Sequence, residues 1–458
     1  MLNAIVEGFK VVAARWELVL GIVALLGLSL AGSSPSRVVE GTIKVVIGVL
    51  ILKVGSATLL GAFRPAMEIL QKAFHITGIV MDPYGGWVSA MANLGPLVGT
   101  AAQIMVVGFL VNMLLARLTP LRYVYLTGHT MLAFSCFVAW LFKMYFGLTG
   151  IALLASGALV CGIYWTLLPA IVHRYSAPIA GDQFTLGHMS GIACVVASVV
   201  APKIGKPSDS AENLKLPGFL SIFGNNVVAT TAMMTIFFTG VGLLAGYDVV
   251  KDYAGKDNWI LYSVFLGFNF AVGIVILLTG VRMMLAEVVP AFKGISDRLI
   301  PGAVPALDMP VFFPLAPTAA VLGFVGAFIG EFLGMGILLA FGSPYITIPG
   351  VIPTFFDGGT AGVFANHYGG WRASVIVGSL IGVVQMLGGA LLYPLSGLKN
   401  AVYPNTDYTT VWVGISALMK YLSNYWVFMA VFVGVAGILF VLMSRTRSAQ
   451  LKMESAAD

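Results

Sequence analysis

The run WILYSVFLGFNFAVGIVILLTGV, Trp259 to Val281, decides the fold: 23 residues pass without one Asp, Glu, Lys or Arg. A bilayer hydrocarbon core of about 30 Å is crossed by about 20 apolar residues in a helix, so this run is long enough to span one. Outward from it, uncharged windows recur at Leu18 to Ser36, Gly95 to Ala116, Tyr123 to Leu141, Thr149 to Val172, Ser221 to Gly246, Met309 to Gly330, Ala373 to Leu398 and Tyr425 to Ser444. Thr42 to Ala62 adds one more, apolar apart from Lys44 and Lys53. With 59% hydrophobic and 10% charged residues over 458 positions, a soluble surface is excluded. The expected fold is an all-α polytopic membrane protein with about 11 transmembrane helices, a count that suits a carrier.

Lys and Arg lie in short loops and at helix ends, as the positive-inside rule requires, so the formal charge of +6 does not signal nucleic-acid binding. Arg445, Arg447 and Lys452 assign the tail to the cytoplasmic side. Cys136, Cys161 and Cys194 sit in apolar stretches without C-x-x-C spacing and read as buried thiols. Residues 1–16 place Leu2, Ile5, Val6, Phe9 and Val12 at helical spacing, an interfacial helix that is expected to be retained; a cleavable signal is the rival. No G-x-x-x-x-G-K-[ST] or H-E-x-x-H motif occurs, and no cofactor, metal or catalytic constellation is expected.

Gly48, Gly55, Pro65 and Ala66 recur as Gly273, Gly280, Pro290 and Ala291, and Tyr123, Gly128 and Phe134 as Tyr345, Gly350 and Phe356. One membrane domain, 1–458, with repeats over about 38–200 and 263–400, follows from these offsets. Carriers use such duplication with the copies inverted across the membrane. The stretches Met81 to Pro96, Asp182 to Pro202, Leu299 to Pro317 and Pro344 to Phe356 are too broken to span. They read as re-entrant hairpins lining a site, or as loops outside the bilayer.

Ionisable groups in apolar surroundings cost several kcal/mol unless paired or hydrated, which marks His129, His188, Asp308, Asp357 and His367. An imidazole donates to one hydroxyl and accepts from another, and a carboxylate accepts two, a set that holds a polyhydroxylated solute. Tying helices together is the alternative role for each His. Glu331 reads as a break between crossings rather than a proton carrier. Lys44, Lys53 and Arg64 read as interfacial or ion-paired, and Trp87, Trp140, Trp165, Trp371 and Trp412 as interface anchors.

The segment Gly362-Val363-Phe364-Ala365-Asn366-His367-Tyr368-Gly369-Gly370-Trp371-Arg372-Ala373 resembles a signature of the ascorbate-type IIC permeases of the bacterial phosphotransferase system. Leu126 to His129, Leu214 to Gly218, Met234 to Phe238 and Arg298 to Val304 are similar to family segments in the same order. The resemblance implies a homodimer in the bacterial inner membrane, each protomer with a dimerising scaffold and an elevator-type core. It implies L-ascorbate as solute and separate cytoplasmic IIA and IIB proteins for phosphoryl transfer, this chain being a transport subunit and not an enzyme. It carries the family's ligand contacts onto Tyr84, His129, His188 and Asp308, with Thr130, Met131, Ala133 and Met189 beside them. Where the family has Thr before the Tyr and glutamines after each His, this chain has Pro83, Ala133 and Met189, which implies a drier pocket for a less hydroxylated or bulkier solute. A phosphotransferase permease of another solute and an uncoupled transporter are the remaining readings. Short loops leave a receptor without a signalling surface.

Overall fold

A computed structural model describes residues 15–73, 78–214, 226–399 and 401–457. Nearly all of the amphipathic segment 1–16 and most of the 214–218 motif lie outside these described residues. The first half runs α1 (Trp16–Leu30), α2 (Pro35–Ala73), β1 (Ile79–Met81), α3 (Pro83–Leu94), α4 (Val98–Leu118), β2 (Tyr123–Tyr125), α5 (Gly128–Phe146), α6 (Gly150–Ala180), β3 (Thr185–Leu186) and α7 (Gly191–Val200). The second runs α8 (Asn226–Ala245), α9 (Tyr247–Ala254), α10 (Trp259–Arg298), β4 (Val304–Leu307), α11 (Pro317–Ala340), β5 (Thr347–Ile348), α12 (Val351–Ser396), β6 (Ala401–Val402), α13 (Thr406–Thr409), α14 (Val411–Leu422) and α15 (Tyr425–Ala457). Among the described residues, eight helical segments are long and apolar enough to cross a bilayer, and four shorter apolar helices supplement them. The fold is all-α and multi-pass.

Helices without a hydrophobic drive between them associate by close backbone approach, and α2 and α10 do so through glycine. A Cβ on Gly48 would stand 2.8 Å from Met284 N, and one on Gly273 would stand 2.8 Å from Leu59 N. Gly48 also faces Gly280, and Gly273 faces Gly55. The 225-residue offset therefore converts one set of contacts into the other, and the two segments run in opposite directions across this local exchange. Around them α1 and α8 complete one bundle; α3 to α7 and α11 to α14 form the other.

Two small parallel sheets, unforeseen in the sequence, organise the broken stretches. In one, β1 lies between β5 and β6; in the other, β4 lies between β2 and β3. Ile79 of β1 pairs with Thr347, and Val304 of β4, 225 residues further on, pairs with Tyr123. Backbone amides at membrane depth need partners, and these ladders supply them where the helices stop.

Several expected boundaries shift for local reasons. The window Tyr123 to Leu141 begins as β2, and its helix starts at Gly128. Met309 to Gly330 is not one crossing: Met309–Leu315 forms a 3₁₀ helix around Pro310 and Pro314, and α11 starts at Pro317. Glu331 is no break, since it lies inside α11 at 0% exposure. The Gly-rich stretch 358–370 is helical, because its glycines let α12 pack against α11; only Gly370, at φ 75°, interrupts it. Trp165 and Trp412 are fully buried against Phe134 and so are core rather than interface anchors. Cys136, Cys161 and Cys194 are buried free thiols.

Candidate functional site

Parallel strands deliver the segments that follow them to the same side of a sheet, and this places the site. After β2 comes His129 at the first turn of α5; after β3 comes His188; after β4 comes Asp308, whose carboxylate accepts from Met309 N at 2.7 Å. The three side chains converge. His129 Nε2 lies 3.7 Å from one Asp308 oxygen and His188 Nε2 lies 3.9 Å from the other. Gly187 permits this approach, for a Cβ there would meet the Ala306 carbonyl at 2.4 Å.

The second sheet contributes the facing wall in the same way. Pro83, Tyr84 and Trp87 follow β1, Ile352 and Phe356 follow β5, and Tyr403, Asn405 and Tyr408 follow β6. Together with Lys53 and Ser56 of α2, the two walls enclose a cavity of about 400 Å³. That volume lies within the range of about 300–1,000 Å³ of small-molecule pockets. The N-terminal turns of α3, α5 and α12 supply part of its lining, so the positive ends of three helix dipoles border the cavity.

His188 is 7% exposed and its Nδ1 lies 3.1 Å from Ser190 Oγ, which fixes the ring and leaves Nε2 towards the cavity. His129 is more open, at 36%. Thr130 lines the cavity and donates to the Thr127 carbonyl at 2.9 Å. Ala133 and Met189 both belong to the wall, as does Tyr84. Met131 does not: two residues on from His129, about 200° round the helix, it is buried in the core. His367 is exposed and packs on Tyr368, away from the cavity.

Asp357 lies beneath the cavity and holds its wall. It accepts from Asn405 Nδ2 at 2.8 Å, Thr406 N at 2.8 Å, Thr406 Oγ1 at 2.7 Å and Gln385 Nε2 at 3.0 Å. Asp407 then joins the two sheets' loops, accepting from Ile192 N at 2.8 Å and Tyr164 OH at 3.0 Å, while its own N donates to the Met189 carbonyl. Asn405, Tyr403 and Tyr408 are wall residues that sequence reasoning passed over, and Lys53, read from the sequence as interfacial or ion-paired, is a fourth. Lys53 was legible as an interrupted apolar window; its ion pair with Glu17 holds it at the cavity rather than at an interface.

His129, His188 and Asp308 also form a set of metal-ligand type, their donor atoms all within 4.8 Å of one another. A tetrahedral shell with bonds of about 2.0–2.1 Å has edges of ~3.3 Å, so a metal would have to draw all three inward. As they stand, the separations suit a bridging hydroxylated molecule better.

A family model described as the sugar-specific permease component of the phosphotransferase system (EIIC-GAT) matches residues 13–407. A protein of Mycoplasma pneumoniae described as an ascorbate-specific phosphotransferase-system EIIC component is 29% identical over 436 residues. The match covers 84% of this chain and 65% of that relative, so the chain spans slightly less than two thirds of its length.

Proposed function

The chain belongs to the sugar-specific permease components of the phosphotransferase system, and from that premise we propose that its cavity binds and translocates L-ascorbate or a related small polyol or sugar acid. The observation that carries this reading is the convergence of two imidazoles and a carboxylate in a cavity bordered by three helix N-termini. Imidazole and carboxylate together present donors and acceptors to vicinal hydroxyls, and the helix dipoles favour partial negative charge such as an enediolate carries. Tyr84, His129, Thr130, His188 and Asp308 are the contacts, with Ala133 and Met189 setting the fit. The Mycoplasma relative, described as ascorbate-specific, supports the choice of solute.

In this reading a separate IIB protein, charged by a IIA protein, phosphorylates the solute on the cytoplasmic side of a bacterial inner membrane, and the permease works as a homodimer. The bundle containing α2 and α10 is the scaffold; the bundle containing both sheets is the core that moves. The repeats extend over about 38–200 and 263–400. Alanine and methionine in place of the family's glutamines favour the second reading, a less hydroxylated solute.

The test is ligand-dependent thermal stability of the purified protein across ascorbate, sugar acids, pentitols and pentoses, with His129→Ala and Asp308→Ala. An ascorbate-specific rise in melting temperature, abolished in both variants, is expected. A response to another solute, equally sensitive to both variants, would transfer the site to that solute. No response to any of them would remove the reading.

A further inference from the structure

Glu331 sits on α11 at 0% exposure, in the middle of a membrane-spanning segment. Its Oε2 lies 2.7 Å from Thr354 Oγ1, and its Oε1 has no hydrogen-bond partner. Asp357, one turn beyond Thr354 on α12, accepts four hydrogen bonds, enough to hold an ionised carboxylate. Among the described residues, Glu331 has only the Thr354 hydroxyl within normal hydrogen-bond geometry, with the Gly350 amide as a weaker second donor. An ionised carboxylate so poorly solvated at bilayer depth is strongly unfavourable.

The hydroxyl of Thr354 has a single proton and two acceptors within reach, Glu331 Oε2 and the Gly350 carbonyl. Both contacts are satisfied when Glu331 brings its own proton: the acid donates to Thr354 and Thr354 donates to Gly350. A second observation agrees. Gln385, also 0% exposed, donates its Nε2 to Asp357, yet its Oε1 is unpartnered beside the same cluster. Two buried acceptor atoms of this cluster, one on Glu331 and one on Gln385, thus lack a donor.

The charged group facing Glu331 from α12 is Asp357, and Asp407 of α13 lies beyond it. Among the described residues, none of the ion pairs of Lys, Arg or His involves any of these three acids. Among the described residues no cation pairs with Glu331, and the neighbouring Asp357 carboxylate repels a charge on it.

We propose that Glu331 is a proton-binding site of the membrane core, occupied in this conformation by a proton that Glu331 donates to Thr354. Thr354 stands between Ile352 and Phe356, both of which line the cavity, so loss of the proton disturbs the first turns of the helix that walls the site. The proton site stands whichever solute the cavity takes.

Infrared spectroscopy of the full chain in lipid nanodiscs tests it without a solute. The expected result is the carbonyl stretch of a protonated carboxylic acid at neutral pH, shifted in heavy water and missing from Glu331→Gln. Linkage adds a second readout: a proton held in the folded state stabilises at low pH, so the wild type loses melting temperature as the pH rises above the ordinary glutamate value of about 4.3 and Glu331→Gln loses less. Should Glu331→Gln fail to fold, Glu331→Met keeps the volume without the charge. A wild type with no such band, a band that survives the substitution, or a band that appears only when sodium is replaced by choline would each overturn the assignment, the last in favour of a sodium ion.

Discussion

At the scale of single residues, the cavity is specified by few atoms, and substitutions in its wall act on hydrogen bonding more than on volume. Ala133 and Met189 both face the cavity, beside His129 and His188. Met189→Gln introduces an amide that donates to one hydroxyl and accepts from another. For a solute as hydroxylated as ascorbate, one added bond contributes about 1 kcal/mol, roughly a five-fold gain in affinity. Titration calorimetry of Met189→Gln against the wild type reads this directly, and unchanged or weaker ascorbate binding would mean that the side chain leaves the solute untouched. Ser190→Ala tests the other determinant, the orientation of His188. Removing the hydroxyl 3.1 Å from Nδ1 should cost about 1 kcal/mol of solute affinity and, because Ser190 is buried, lower the melting temperature of the solute-free protein as well.

At the scale of elements, the most extensive packing is between α11 and α12, and glycine makes it possible. A Cβ on Gly330 would lie 1.9 Å from the Ser379 carbonyl, whereas one on Gly336, less than two turns on along α11, would meet nothing within 4 Å. Alanine is ordinarily the better helix former by roughly 0.5–1 kcal/mol, so the two positions should respond with opposite sign. Gly330→Ala is expected to destabilise by about 1–3 kcal/mol through forced separation of the helices, and Gly336→Ala to be neutral or slightly stabilising. Unfolding in detergent, followed by tryptophan fluorescence, discriminates them; equal effects would refute the packing argument. The same elements explain what the sequence makes legible. Long uncharged windows declare themselves because bilayer thickness demands them, and His129, His188 and Asp308 are conspicuous because ionisable groups are costly in apolar surroundings. The strands escape notice, since two to four residues are too few for any periodicity to register. Without them Asn405, Tyr403 and Tyr408 have no reason to be placed opposite His188. Glu331 misleads for a related reason: a charge in an apolar run resembles an interruption until the helix through it is seen to be continuous.

At the scale of the whole molecule, the proposed movement of the core against the scaffold has to cross one surface, and a cluster of phenylalanines packs part of it. Phe63 of α2 lies 5.5 Å from Phe324 and 5.6 Å from Phe328 of α11, ring centre to ring centre. Phe270 of α10 stacks on Phe324 at 5.5 Å and meets Phe355 of α12 at 5.7 Å, while Phe237 of α8 meets Phe328 at 4.6 Å. None of these rings carries a hydrogen-bonding group, so within this cluster ring contacts of about 0.5–1.5 kcal/mol can be exchanged one at a time without breaking a polar bond. Ion pairs stay within a bundle, as in Arg37 with Glu287 and Lys53 with Glu17 of the proposed scaffold and Arg447 with Asp182 of the proposed core. A variant with Phe63→Cys and Phe324→Cys places one thiol on each side of this surface. The native cysteines are buried, out of easy reach of a bifunctional thiol reagent. Crosslinking should abolish solute uptake into proteoliposomes while leaving solute binding measurable, and a cleavable reagent should restore uptake on reduction. Uptake undiminished by complete crosslinking would show that Phe63 and Phe324 keep their places through the cycle, and the moving boundary would have to be sought elsewhere in the fold.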